Sequence, residues 1–378
     1  MEETVSEADA ASYTVYARKH TDCMDLPENM AAGERTVVHA YVSDEAGRPV
    51  ASGTHVTLVL SVGPRDPVSN PFQYTRSETC RGNVWTEYRL LVSQKGTGTV
   101  WDTESGRYSE ELARFDLTGR FKASDGIEMS FAFHKPARQQ NVPLIIWLHG
   151  GGEGGTDPSI PLLANKAANY ASPEIQTAFG GAYVLVPQCP GAWMHNAQGV
   201  MTHGEDDVYH GALMELIEDF VSKHPDIDRN RIYVGGCSNG GYMSMKLILE
   251  HPTYFAAGYI SALAFQSQYI SDKQMKKIAH VPIWFVHAAD DQTTIPNETV
   301  LPVYDRLKAL GAPVHLSYYE HVVDLTGMYG GNEYHHTGHW SWVYSHANAC
   351  YLDKDGSAVT VDGKPVHIME WMASQKKK

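Results

Sequence analysis

A chain of 378 residues is too long for one small hydrophobic core and has the length of two domains, one of them large. With 43% hydrophobic and 20% charged residues it reads as globular, and no apolar run approaches the ~20 residues of a membrane span. The net charge of -14 argues against a nucleic-acid partner, because polyanions are held by Lys and Arg patches. The one basic run, Lys376-Lys377-Lys378, reads as a frayed tail. The first twenty residues carry neither a basic stretch nor an apolar one, which leaves a cytoplasmic protein or a mature extracellular or periplasmic form. Cys23, Cys80, Cys189, Cys237 and Cys350 are odd in number and cannot all pair within one chain. Cys23 and Cys80 are candidates for a bridge inside the N-terminal stretch.

From Tyr13 to Arg114 the runs YTVYARKH, TVVHAYVS, HVTLVLSV, VWTEYRLLVS and GTVWD are separated by EAGRPV, GPRDPVSNP and SQKGTG. Short β-branched and aromatic runs at close spacing, with Gly, Pro and Asn between them, predict an antiparallel immunoglobulin-like sandwich over residues 1–114. The pattern changes at Phe115. FDLTGRFKASDGIEMSFAFHKP predicts a hairpin turning at Ser124-Asp125-Gly126. Strands and helices then alternate over 115–378, the signature of a mostly parallel sheet with helices on both faces. The strands are VPLIIWLHG, AYVLVPQCP, RIYVGG, AAGYISA, VPIWFVHAADD and VHLSYY. Helical spacing is carried by Leu213, Leu216, Ile217, Phe220 and Val221, by Val303, Leu307 and Leu310, and by Ile368, Trp371 and Met372. No internal repeat or low-complexity segment interrupts this order.

Between RIYVGG and the helical run GYMSMKLILEHP lies Gly236-Cys237-Ser238-Asn239-Gly240, a G-x-S-x-G match in its strand-turn-helix setting. So tight a turn lifts the serine hydroxyl out of the sheet, and the flanking glycines avoid collision with neighbouring backbone. Cys237, inside the turn, reads as a small, buried, inert residue.

A serine nucleophile needs a base, and the base needs an orienting carboxylate. In a fold of this kind the acid follows a late strand, and the loop after VPIWFVH holds Asp290 and Asp291. At this point either aspartate can serve as the acid. The base follows the acid, and His321, His335, His336, His339 and His346 crowd into one glycine-rich, aromatic segment. His339 is favoured and His336 comes second. The pairing of His335, His336 and His339 suggests a metal site, but no matching carboxylate or cysteine spacing accompanies it, so neither metal nor cofactor is expected. The anionic intermediate needs two backbone N–H donors. One is expected at Asn239, the other in the loop His149-Gly150-Gly151-Gly152-Glu153-Gly154-Gly155 after the first apolar strand.

LHGGGEGG, PQCPGAW, GCSNGGYM, FVHAADD and HWSW, in this order, resemble a bacterial α/β-hydrolase carboxylesterase, and more narrowly the esterases with an N-terminal immunoglobulin-like domain. The resemblance implies Ser238 as nucleophile, Asp291 as acid, His339 as base, and oxyanion donors at Gly151 and Asn239. It departs in two places. QTTIP after Asp291 is one residue longer than the family commonly has, and Cys350 to His367 is an extra segment before the last helix. The DKDG fragment in that segment lacks the other ligands of a calcium loop and reads as a polar hairpin.

The expected activity is hydrolysis of carboxylic esters, with a small-molecule or polysaccharide-linked ester as substrate and short or aromatic acyl groups. Trp193, Tyr242 and Trp340 are candidates for lining the substrate cleft, each equally readable as core. The alternatives are a serine peptidase of prolyl-oligopeptidase type, for which the N-terminal stretch is short and lacks blade repeats, and a non-catalytic protein whose sandwich domain binds a glycan or partner.

Overall fold

Tyr13, Val15 and Ala17 are buried while Thr14, Tyr16 and Arg18 face outward, the period-two pattern of a strand covered on one side. This strand, β1 (Tyr13–His20), opens the smaller of two units in the computed structural model, which describes residues 4–77, 80–138, 140–204 and 206–377. The units are Met1–Tyr108 and Ser109–Lys378. The division falls before Phe115 because Ser109 caps a short helix, Glu110–Ala113, whose Leu112 packs on the core of the larger unit. Seven more strands follow in the smaller unit: β2 (Ala32–Arg35), β3 (Val37–Ser43), β4 (His55–Leu60), β5 (Phe72–Arg76), β6 (Arg81–Trp85), β7 (Glu87–Gln94) and β8 (Val100–Trp101). They form an antiparallel sheet in the order β2-β1-β7-β8 and two hairpins, β3-β4 and β5-β6. The run VWTEYRLLVS, continuous in the sequence pattern, is divided at Thr86. Its N–H and hydroxyl both bond to Pro71 O, at 3.0 and 2.8 Å, and the chain passes from one sheet to another. Cys23 and Cys80 form a disulfide within this unit.

The larger unit is built on β9 (Asp116–Lys122), β10 (Glu128–His134), β11 (Val142–Leu148), β12 (Tyr183–Gln188), β13 (Ile227–Cys237), β14 (Ala257–Ser261), β15 (Ile283–Ala288) and β16 (Val314–Tyr319). Their order in the sheet is β16-β15-β14-β13-β11-β12-β10-β9. The β9-β10 and β10-β12 pairs are antiparallel and the others parallel. β11 is buried at every residue because both of its faces are covered. Leu144, Ile146 and Leu148 join one core with Leu213, Leu216 and Phe220 of the helix His210–Lys223. Ile145 and Trp147 join the other with Ile175, Ile368 and Trp371. The chain leaves β11 and β13 at the same edge, where the strand order reverses across β13-β11-β12, and a crevice there is the customary ligand site of an open α/β sheet. The extra segment before the last helix carries a small hairpin, Thr360–Val361 with Lys364–Pro365. Its Asp353 bonds to His315 Nδ1 at 2.8 Å and Leu316 N at 3.0 Å, fixing the segment to β16. Among the described residues no helix is long and apolar enough to cross a membrane.

Candidate active site

β13 ends at Cys237 and the helix Asn239–Glu250 begins two residues later, so Ser238 alone makes the turn. It does so at φ 54° and ψ -113°, a left-handed conformation that a residue with a Cβ adopts only under constraint. The constraint is the packing of the helix start onto the end of β11. A Cβ on Gly240 would overlap Leu148 O, and one on Gly236 would lie 2.5 Å from the same oxygen. Cys237 is fully buried, and burial pushes its thiol well above the ordinary value, which removes it as a nucleophile.

The Ser238 hydroxyl points at His339, with Oγ 3.0 Å from Nε2. On the other side of the ring, Nδ1 lies 2.9 Å from Asp291 Oδ2 and 3.1 Å from Oδ1. Asp291 is buried and well supplied with donors: N–H of Thr293 at 2.8 Å and of Thr294 at 2.9 Å to Oδ1, and the Thr294 hydroxyl at 2.6 Å to Oδ2. His287 Nε2 stands 3.3 Å from Oδ2 and 2.8 Å from Thr294 O. Burial by itself raises the Asp291 carboxyl; hydrogen bonds from His287, His339 and Thr294 outweigh it and hold the group far below the usual carboxylate range. An ionised Asp291 accepts the hydrogen bond of the His339 Nδ1–H, which fixes that tautomer and leaves the Nε2 lone pair facing Ser238.

The other histidines are engaged elsewhere. His336 pairs with Val322 in a two-residue strand, and its ring lies near Tyr334 and Trp340. His346 is enclosed by Trp147 and Tyr170, and burial lowers its pKa to about 3. His321 bonds to Asp290 Oδ2 at 2.8 Å and stacks on His335. Asp290 is thus turned away from His339. Among the described residues no three His, Cys, Asp or Glu side chains converge as a metal site.

The first helical hydrogen bond runs from Tyr242 N to Ser238 O, so the N–H of Asn239 has no acceptor within its helix. Gly151 comes up beside it: a Cβ there would lie 3.8 Å from the Asn239 side chain. The loop bearing Gly151 is fixed by His149, whose Nδ1–H donates to Gly150 O at 2.6 Å and whose Nε2 accepts from Cys189 N at 3.0 Å. Burial lowers the pKa of this imidazole to about 4, so it serves as a neutral bridge. The Asn239 side chain clamps a further loop, accepting from Met194 N at 3.1 Å and lying 3.9 Å from Met201 Sδ.

Of the three cleft candidates, Trp193 and Tyr242 have no exposed surface and belong to the core. Trp193 lies against His149 and Tyr209, and Tyr242 donates its hydroxyl proton within reach of Gly204 O and Asp207 Oδ2, at 2.7 and 2.9 Å. Trp340 is 46% exposed, next in sequence to His339. Sequence reasoning missed Thr294, His287 and Met201, and it offered His321 as a base without its pairing to Asp290. Thr294 had a local signal, since a hydroxyl three residues after an aspartate can close back on its carboxylate. Met201 had none.

Residues 131–329, more than half of the chain, match the phospholipase/carboxylesterase family, and residues 1–105 match the esterase Ig-like N-terminal domain. The chain belongs to the phospholipase/carboxylesterase family. Within this family of carboxylic ester hydrolases it carries the α/β-hydrolase sheet behind an Ig-like, mostly β domain. A thermostable esterase of known crystal structure superposes with a TM-score of 0.73 at 22% identity, covering 98% of this carboxylesterase-family chain and 92% of its own, which is a likeness of fold. A poly(3-hydroxybutyrate) depolymerase of Ralstonia pickettii is 28% identical over 188 residues, 46% of this chain and 34% of that protein. Feruloyl esterase B of Neurospora crassa is 30% identical over 115 residues, 30% of this chain and 37% of that protein. The chain thus spans little more than a third of the length of either relative.

Proposed function

We propose that this chain is a serine carboxylesterase that cleaves carboxylic esters through an acyl-enzyme. The observation that carries the reading is the hydrogen-bonded chain from Ser238 Oγ through His339 to Asp291, at 3.0 and 2.9 Å. Ser238 attacks the ester carbonyl while its proton passes to His339 Nε2. Asp291 holds the imidazole tautomer and stabilises the imidazolium, and the oxyanion receives N–H groups from Asn239 and Gly151. His339 then protonates the leaving alkoxide. Water repeats the sequence on the acyl-enzyme and releases the acid.

The acyl group is short or aromatic. The names of the two relatives, a feruloyl esterase and a hydroxybutyrate polyester depolymerase, support those two choices, and feruloyl groups on plant polysaccharides belong to the first. We assign the acyl group to Trp340, which follows His339 in the chain and is 46% exposed. The test is hydrolysis of p-nitrophenyl acetate and methyl ferulate by wild type and Ser238→Ala, with a chromogenic prolyl peptide alongside. Ester turnover that disappears with Ser238 supports the reading. Turnover of the peptide alone replaces it with a peptidase.

A further inference from the structure

Asp290 lies next to Asp291 yet outside the chain of contacts that ends on Ser238, and its surroundings are ordered. Its Oδ2 accepts from His321 Nδ1–H at 2.8 Å. The His321 ring stacks on His335, with centroids 4.2 Å apart and planes within 20°. Between these two histidines the chain is closed by the pairs Val322↔His336 and Val323↔His335. Inside the closure, the Asp324 carboxylate gathers the N–H groups of Thr326, Tyr329 and Gly331. Tyr344 ties the base of the loop, its hydroxyl accepting from Val323 N at 3.0 Å and donating to His321 O at 2.9 Å. The loop then runs through Gly338 into His339. Gly338 is pressed against Asp290, where a Cβ would overlap the carboxylate Oδ1. Both the entry of the loop, at His321, and its exit, at Gly338, therefore meet the same carboxylate.

A general base must be held within about 0.5 Å of its working place, and a 1 Å error can cost about 100-fold in rate. A surface loop of this length does not supply that precision unaided. We propose that Asp290 and His321 form a positioning pair that fastens the 321–338 loop and so sets His339 against Ser238. The pair touches neither the substrate nor the reacting atoms; it acts through the placement of His339. The idea rests on the esterase reading for its kinetic consequence and on the loop contacts alone for its structural one.

The test uses the full chain and four variants: Asp290→Ala, Asp290→Asn, His321→Ala and the double Asp290→Ala/His321→Ala. With p-nitrophenyl acetate, both single alanine variants should lose about 10- to 100-fold in kcat with KM within about twofold of wild type. Asp290→Asn keeps an oxygen to accept from His321 and should retain most of kcat. The double variant should be no slower than the slower single, because both substitutions remove one contact. Wild-type kcat in both alanine variants, additive losses, or a raised KM at unchanged kcat would each overturn the proposal. Amide hydrogen exchange over 322–338 reads the loop without any substrate. It should quicken in Asp290→Ala and His321→Ala, and unchanged exchange overturns the pair even where the ester is not a substrate. Absent ester turnover in wild type with quickened exchange in the variants would remove the esterase reading and leave the pair standing. If Asp290→Ala does not fold, His321→Ala and Asp290→Asn carry both measurements.

Discussion

Asp290 and Asp291, consecutive in the chain, hold two different histidines: Oδ2 of the first lies 2.8 Å from His321 Nδ1, and Oδ2 of the second 2.9 Å from His339 Nδ1. Only the second is fully buried and only the second reaches, through its histidine, the hydroxyl of Ser238. The two therefore separate under the same substitution. Asp291→Asn leaves His339 in the wrong tautomer and should lower kcat about 10^4-fold, whereas Asp290→Asn should retain most of the wild-type kcat. Steady-state kinetics on one short ester checks the pair.

Ser238→Ala should lose at least about 10^3-fold in kcat while unfolding at nearly the wild-type temperature. Among the described residues the hydroxyl hydrogen-bonds to His339, and the backbone conformation is imposed by neighbours that the substitution leaves in place. Differential scanning fluorimetry beside the activity assay separates the two effects. A drop in melting temperature of more than a few degrees would assign the serine a structural share.

Thr294 donates its hydroxyl to Asp291 Oδ2 at 2.6 Å in a buried site. Thr294→Val keeps the shape and deletes the donor, so the carboxylate loses one stabilising bond. Stability should fall by about 1–3 kcal/mol and kcat by roughly tenfold. Urea unfolding and kinetics on the same preparation measure both.

Met201 stands 3.9 Å from the Asn239 amide with 38% of its surface exposed. On the proposed mechanism Asn239 supplies an oxyanion N–H, so Met201, against its side chain, is assigned to the acyl side of the cleft. Met201→Ala should raise kcat/KM for longer acyl chains relative to acetate, since truncation opens apolar room worth about 1–3 kcal/mol per methylene or two. A p-nitrophenyl ester series from acetate to octanoate reads this directly, and an unchanged profile removes Met201 from the acyl site.

Asp353 is largely buried, which alone raises its carboxyl, yet hydrogen bonds from His315, Leu316 N and Lys354 N outweigh this and lower it to about 2. A carboxylate lowered on folding contributes stability that is complete above its unfolded value near 3.9 and is lost as pH falls through the folded one. The difference in melting temperature between wild type and Asp353→Asn should be constant above about pH 5 and shrink from about pH 4 towards pH 2. Melting curves at one ionic strength test it.

The legible parts of this molecule were those fixed by local pattern. β11, β12 and β15 are continuous apolar runs because both sheet faces are covered, and the turn at Ser238 is signalled by glycines that neighbouring backbone demands. The contacts that order the site are another matter. The break at Thr86 depends on Pro71 O, the burial of Trp193 and Tyr242 on loops and helices distant in sequence, and the diversion of Asp290 on His321. None of these partners lies within the few residues over which a periodicity can be read. A histidine-rich stretch therefore offered five bases, and distance alone distinguished the one facing Ser238.

The left-handed backbone of Ser238 has a consequence in time. A strained φ of this kind costs about 1–3 kcal/mol, and the chain meets that cost once, as the helix start seats on Leu148. On the proposed mechanism no later event has to repeat it: the hydroxyl is already raised and aimed when an ester arrives, so each catalytic cycle begins from an armed nucleophile and never has to assemble one.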